Sequence, residues 1–337
     1  MFRRSVLPLL AIASLSCART PGDPGQASAE GTLEAMQAEG AQAAQPPPID
    51  VVDAHGKIVR IADSSRVIAV GGGVTEIVYA LGAADHLVGV DTSSVYPEAA
   101  THLPQVGYQR RLSAEGVLAL TPTLVVASTD AGPAPAVAQI VSAGVPVLQA
   151  TADHTIDGAK RRIRTLAQAL GRTPAGERLV EALDEELATA VSGRPQDAPE
   201  VLFIYARGHG TVNVAGRDTA ADEMIRLAGA HNAVTAYDGY KPLTSEAAVA
   251  AAPDVILLPS RGVESLGGAA SVLELPGLSL TPAGKARRVV QMDDLMLLGF
   301  GPRTGRAVSE LIRLLHGNDL PQALTRDETS PQSEAPQ

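Results

Sequence analysis

Tyr108 and Arg110 stand two residues apart in Val106-Gly107-Tyr108-Gln109-Arg110-Arg111-Leu112, and this pair can do chemistry. A free phenol loses its proton near pH 10. A guanidinium close to the oxygen favours the anion, so such a pair can present a phenolate. Read locally, the commoner arrangement is a loop tyrosine packed on its neighbours, with Arg110 facing water. Tyr96, in Tyr96-Pro97 after the second strand of the pattern below, competes for the same role. Tyr205, Tyr237 and Tyr240 are further phenols, although tyrosines at strand ends more often pack with a satisfied hydroxyl. Arg261 follows the apolar run 255–258 at its carboxyl end, where ligands sit in open α/β sheets. A surface arginine is the equal alternative there. Arg303, in Gly301-Pro302-Arg303, is another candidate guanidinium. His209 lies in Arg207-Gly208-His209-Gly210, a setting in which histidine is more often solvated than functional. The other histidines (His55, His86, His102, His154, His231 and His316) form no HxxxH or HxH, which argues against a zinc or manganese site. There is no Gly-x-Ser-x-Gly, Walker loop, HExxH or dinucleotide fingerprint, and Gly71-Gly72-Gly73 lacks phosphate-loop spacing. The expectation is a binding protein, not an enzyme.

The elements that must position these residues occur twice. Residues 112–128 return as residues 243–260. In each copy a hydroxyl residue opens a short helix, with Glu115 or Glu246 in the first turn, where the helix dipole favours an acid. Pro122 or Pro253 follows seven residues later, and a β-branched strand runs on from it. A second pair, residues 76–83 and 223–230, keeps the same order in each half. Two similar α/β units predict two lobes with a cleft between them, the usual place for a small ligand. Apolar strands near 66–70, 87–90, 124–127, 145–148, 201–205, 255–258 and 289–292 alternate with helices. That alternation predicts parallel sheets flanked by helices. Between the halves, Ile163, Leu166, Leu170, Leu179, Leu183 and Leu187 keep helical periodicity, and Pro174 is placed to open a second helix. A helical linker is stiff, so the expected closure on ligand is small.

Bulk properties fit this division. A chain of 337 residues has a prior of about two domains, and 45% hydrophobic residues can fill two cores. A net charge of −10 disfavours a nucleic-acid partner. With no Trp and three Phe, an apolar ligand would meet aliphatic side chains and tyrosines. Residues 1–17 read as an export signal: Arg3 and Arg4, an apolar stretch too short for a membrane span, then Cys17. Cys17 is the sole cysteine, so no internal disulfide exists, and its position suits the acylated first residue of a lipoprotein. Ser14-x-Ser16 also suits an ordinary signal peptidase. Residues 18–48 form a tether, 49–152 an N-terminal lobe, 153–195 linker helices, 196–317 a C-terminal lobe and 318–337 a disordered tail. The expectation is a monomer in the periplasm or cell envelope, held to the membrane only by lipid on Cys17.

Over residues 64–316 the chain resembles the helix-linked substrate-binding proteins of ABC importers, the class III periplasmic binding proteins, in their haem branch. Residues 106–116, 89–97, 260–268 and 298–303 carry the likeness, in family order. The resemblance implies two Rossmann-like lobes joined by a long linker helix. It implies haem b as transported ligand, and the permease and ATPase subunits of an importer as partners. In haem-binding relatives a tyrosine followed two residues later by Arg or Lys supplies the axial ligand to ferric iron, and Tyr108 with Arg110 match that pair. Ferric iron is a hard cation, and tyrosinate is a known haem ligand type. By the same resemblance Arg261 contacts a propionate or the Tyr108 oxygen, Arg303 is a further haem contact, Tyr96 is a cleft wall, and His209 serves a second haem or the face opposite the tyrosine. Glu115 and Glu246 match acidic residues that dock on permease arginines. Cobalamin or a ferric siderophore in the same architecture, or an envelope haem store or chaperone without an importer, are the alternatives.

Overall fold

The computed structural model describes residues 47–317 apart from His209 and Thr211. The expected signal segment, Cys17, the tether up to residue 46, His209 and the tail from 318 lie outside the described residues.

A hairpin of β1 (Ile49–Val52) and β2 (Ile58–Ile61) opens the described chain, antiparallel, with Ile49 opposite Ile61. Its alternation turns Val51, Val59 and Ile61 into the core. The first sheet has four parallel strands in the order β4-β3-β7-β8: β3 (Val67–Val70), β4 (Leu87–Val90), β7 (Leu124–Ser128) and β8 (Val147–Ala150). Val67, Ile68, Ala69 and Val70 are all buried, because helices cover both faces of a parallel sheet and a continuous apolar run is what such a strand needs. A small hairpin, β5 (Gly107–Tyr108) with β6 (Arg111–Leu112), stands between β4 and β7.

Two helices, Ile156–Ala169 and Thr173–Ser192, carry the chain onward, with Pro174 in the first turn of the second, as its fixed φ allows. Their apolar faces meet through Ile163, Leu166, Val180 and Leu183, all buried. The last helix, Thr304–His316, packs along Thr173–Ser192, and one continuous core runs from the first sheet through these helices to the second.

The second sheet has six strands. β9 (Glu200–Ala206), β13 (Val255–Pro259) and β14 (Val289–Met292) are parallel, and β11 (His231–Asn232) joins β9 in the same sense. β10 (Val212–Ala215) and β12 (Tyr240–Pro242) run antiparallel, so this sheet is mixed where sequence alternation predicted parallel strands throughout. The link from β9 to β10 is too short for a crossover, and a hairpin is the only connection such a link permits.

The duplicated pattern folds the same way in both halves. Ser113 Oγ accepts from the Gly116 N–H (3.1 Å) at the start of helix Ala114–Ala119. Thr244 Oγ1 accepts from the Ala247 N–H (3.2 Å) at the start of Ser245–Ala251. No helix of the described residues is long and apolar enough to cross a membrane.

Candidate ligand cleft

Residues at or just past the ends of parallel strands converge on one cleft of about 710 Å³, within the range of about 300–1,000 Å³ usual for small-molecule sites. Gly71 follows β3, Thr92 follows β4, Ser128 ends β7 and Ala152 follows β8. Arg207 follows β9, Arg261 follows β13 and Asp294 follows β14. Both sheets therefore present their carboxyl ends to the same space, as open α/β sheets do at their binding sites.

Tyr108 reaches this cleft from the β5–β6 hairpin and is 38% exposed. Arg110 also lines it, but its Nη2 is held by Asp130 Oδ2 at 2.9 Å. From the other lobe come Tyr205, near the end of β9, and Arg207, whose Nε donates to Tyr205 Oη at 2.6 Å. Both phenols act electrostatically on both guanidiniums, so the four groups share one neighbourhood. Tyr240 stands edge-on to Tyr205, with ring centroids 6.1 Å apart. Loss of water around its hydroxyl pushes the Tyr240 phenol up to about 12, which keeps it a protonated donor.

Arg261 lines the cleft as well. Its backbone N–H donates to Asp294 Oδ1 (3.1 Å), and among the described residues its guanidinium forms no ion pair. Desolvation raises the Asp294 carboxyl above its ordinary range. His154, one of the histidines that formed no sequence motif, lines the cleft beside Arg162. Loss of hydration and then the Arg162 charge lower its pKa, so its ring is neutral at pH 7. Val74, Val95, Leu295 and Leu298 supply apolar wall.

Two sequence candidates sit elsewhere. Arg303 makes a two-pronged pair with Glu76, both contacts 2.9 Å, and its guanidinium lies 3.6 Å from the centre of the Tyr96 ring. Neither Arg303 nor Tyr96 is among the residues that line this cleft: a buried carboxylate from the first lobe holds the guanidinium, and the guanidinium lies against the ring. Tyr237 is also off the cleft and donates to the Val214 carbonyl at 3.2 Å. Glu115 and Glu246 are exposed in the first turns of their helices and carry no ion pair among the described residues.

The floor of the cleft depends on a glycine. A Cβ on Gly72 would lie 2.6 Å from the Ser93 carbonyl oxygen and 3.0 Å from Leu295 Cδ1, which belongs to the other lobe. Gly72→Ala is therefore expected to cost about 1–3 kcal/mol through overpacking, read as a fall in the urea midpoint. An unchanged midpoint would show that the lobes part at this point without cost.

Residues 67–295 match the periplasmic binding protein family. The chain belongs to that family. Among solved structures it is similar to the periplasmic heme-binding protein RhuT from Roseiflexus sp. RS-1 in apo form, at 46% identity and TM-score 0.74, over 75% of this chain and 98% of that one. It is also similar to the periplasmic heme-binding protein BhuT in complex with two hemes, at 47% identity and TM-score 0.72, over 75% of this chain and 98% of that one. Among curated proteins, the uncharacterized ABC transporter substrate-binding lipoprotein YvrC of Bacillus subtilis is 29% identical over 80% of this chain and 86% of its own length. The vitamin B12-binding protein of Vibrio parahaemolyticus is 29% identical over 50% of this chain and 60% of its own.

Proposed function

We propose that this chain is the substrate-binding component of an ABC importer, capturing haem in the inter-lobe cleft through a tyrosinate–iron bond and delivering it to an inner-membrane permease. The observation that carries the reading is the convergence of a phenol and a guanidinium from each lobe: Tyr108 with Arg110, and Tyr205 with Arg207. Haem is flat and largely apolar, bears two carboxylates and holds a hard ferric centre. Phenolate suits the iron, Val74, Val95, Leu295 and Leu298 suit the ring, and Arg261, without an ion pair among the described residues, suits a propionate through a forked contact. The likeness to heme-binding proteins supports the same cargo.

Tyr108 is the proposed iron ligand, with Arg110 beside it. One observation favours Tyr205 as a second or alternative ligand. Its oxygen already accepts from the Arg207 guanidinium, whereas Arg110 is engaged by Asp130. In the same proposal Cys17 carries the lipid anchor, and Glu115 and Glu246 meet the permease.

Haemin titrated into the purified protein tests this. The wild type is expected to give a high-spin ferric spectrum with a phenolate-to-iron charge-transfer band. Tyr108→Phe is expected to lose the band and at least about tenfold in affinity, about 1.4 kcal/mol. A band that survives in Tyr108→Phe and vanishes in Tyr205→Phe moves the ligand to the second lobe. Absence of haem binding in the wild type sinks the reading and leaves cobalamin or a ferric siderophore as the cargo to test.

A further inference from the structure

Asp91 is a fully buried carboxylate with no cationic partner among the described residues, just past the end of β4. Five hydrogen bonds converge on it. Oδ1 accepts from the Gly71 N–H (2.8 Å) and the Ser94 hydroxyl (2.9 Å). Oδ2 accepts from the Ser93 N–H (2.9 Å), the Ser93 hydroxyl (2.7 Å) and the Gln109 N–H (3.1 Å). A buried charge is costly unless it is met in this way, so a neutral side chain would make a simpler core. What the carboxylate gains is reach, because its two oxygens accept from three separate stretches of backbone.

The Gln109 bond matters most for the cleft. Gln109 lies between Tyr108 and Arg110, and both of its backbone groups are tied. Its N–H goes to Asp91, and its carbonyl accepts from the Gly132 N–H at 2.8 Å. The hairpin around it has only two residues in each strand, so it cannot fix the direction of Tyr108 unaided. On the other side, the same carboxylate holds Gly71, at the cleft mouth of the first lobe.

We propose that Asp91 is a positioning residue for ligand capture: it aims the Tyr108 phenol into the cleft by gripping the Gln109 amide. This rests on the reading of Tyr108 as the iron ligand. Asp91→Asn keeps the size of the side chain but turns an N–H₂ toward groups that are themselves donors.

The test is a double-mutant cycle in the full chain, with haemin as the probe and absorption as the readout. Asp91→Asn is expected to weaken haemin binding about tenfold and to diminish the charge-transfer band, and to change affinity little once Tyr108 is already Phe, since the coupling runs through that side chain. If Asp91→Asn matches wild type while Tyr108→Phe does not, the proposal fails and the ligand reading stands. If Asp91→Asn weakens binding equally in both backgrounds, its role is general to the fold and the proposal fails. If Tyr108→Phe keeps the wild-type spectrum, the ligand reading fails and takes this proposal with it. Amide exchange in the wild type covers the case in which Asp91→Asn does not fold. The Gln109 amide is expected to exchange more slowly than that of Arg110, and an equal rate overturns the grip.

Discussion

Replacing Arg162 with methionine is expected to destabilise the folded protein by about 3 kcal/mol, a larger loss than its helical position would predict. Arg162 lies on helix Ile156–Ala169 and is 4% exposed. Its Nε donates to the Thr151 carbonyl at 2.6 Å and its Nη2 to the Asp153 carbonyl at 3.1 Å. Its Nη1 reaches across to the second lobe, to the carbonyls of Gly299 at 2.9 Å and Phe300 at 3.3 Å. No carboxylate forms an ion pair with it among the described residues. Burial lowers its pKa, yet an arginine keeps its charge, which is met directly by backbone carbonyls and at longer range by the Asp153 and Asp130 carboxylates. Methionine fills similar space but donates nothing, leaving four carbonyls short of a partner. Lysine is expected to rescue little, because a point charge cannot serve acceptors spread around a planar fork. For a domain of this size the loss corresponds to about 6–12 °C in Tm. Urea unfolding followed by circular dichroism checks the free energy. A shift within about 0.5 kcal/mol would mean that water replaces the guanidinium and that the lobes are joined by apolar packing alone.

Features encoded locally were legible in the sequence. Ser113 and Thr244 cap their helices as hydroxyl residues before a glutamate should, and the runs that became β3, β7, β9 and β13 are apolar enough to be covered on both faces. Tyr108, Arg110 and Arg261 could be singled out from motif likeness or from position after a strand, and all three line the cleft. His154 and Arg207 carried the same positional signal, after β8 and at the end of β9, and were passed over because neither forms a motif. Arg162 had no signal at all. On a charged helix it reads as solvated, and its partner carbonyl at Gly299 lies 137 residues away. The pairing of Arg303 with Glu76 and Tyr96 was hidden for the same reason. Which carboxylate an arginine meets is decided by tertiary approach, here a Glu76 that lies 227 residues from it.

Reversing Glu115 and Glu246 together to arginine is expected to abolish most ligand uptake by cells while leaving capture intact. Both side chains are exposed, and neither forms an ion pair among the described residues, so no fold contact breaks. The fold loses only the favourable helix-dipole term, about 0.3–1 kcal/mol at each site. Haemin affinity is therefore expected to stay within about twofold of wild type. Docking is different. The two glutamates stand on equivalent short helices of the two halves, so a permease with paired basic patches would meet both at once. Like charges brought together across an interface cost several kcal/mol, enough to cut productive docking by about a hundredfold or more. Single reversals are expected to fall between wild type and the double variant, since the sites sit on separate lobes and share no partner. Uptake of haem iron as sole iron source, measured beside haemin titration of the same variants, separates the two steps. Normal growth with both charges reversed would remove the importer from the function and leave an envelope protein that holds haem without passing it on.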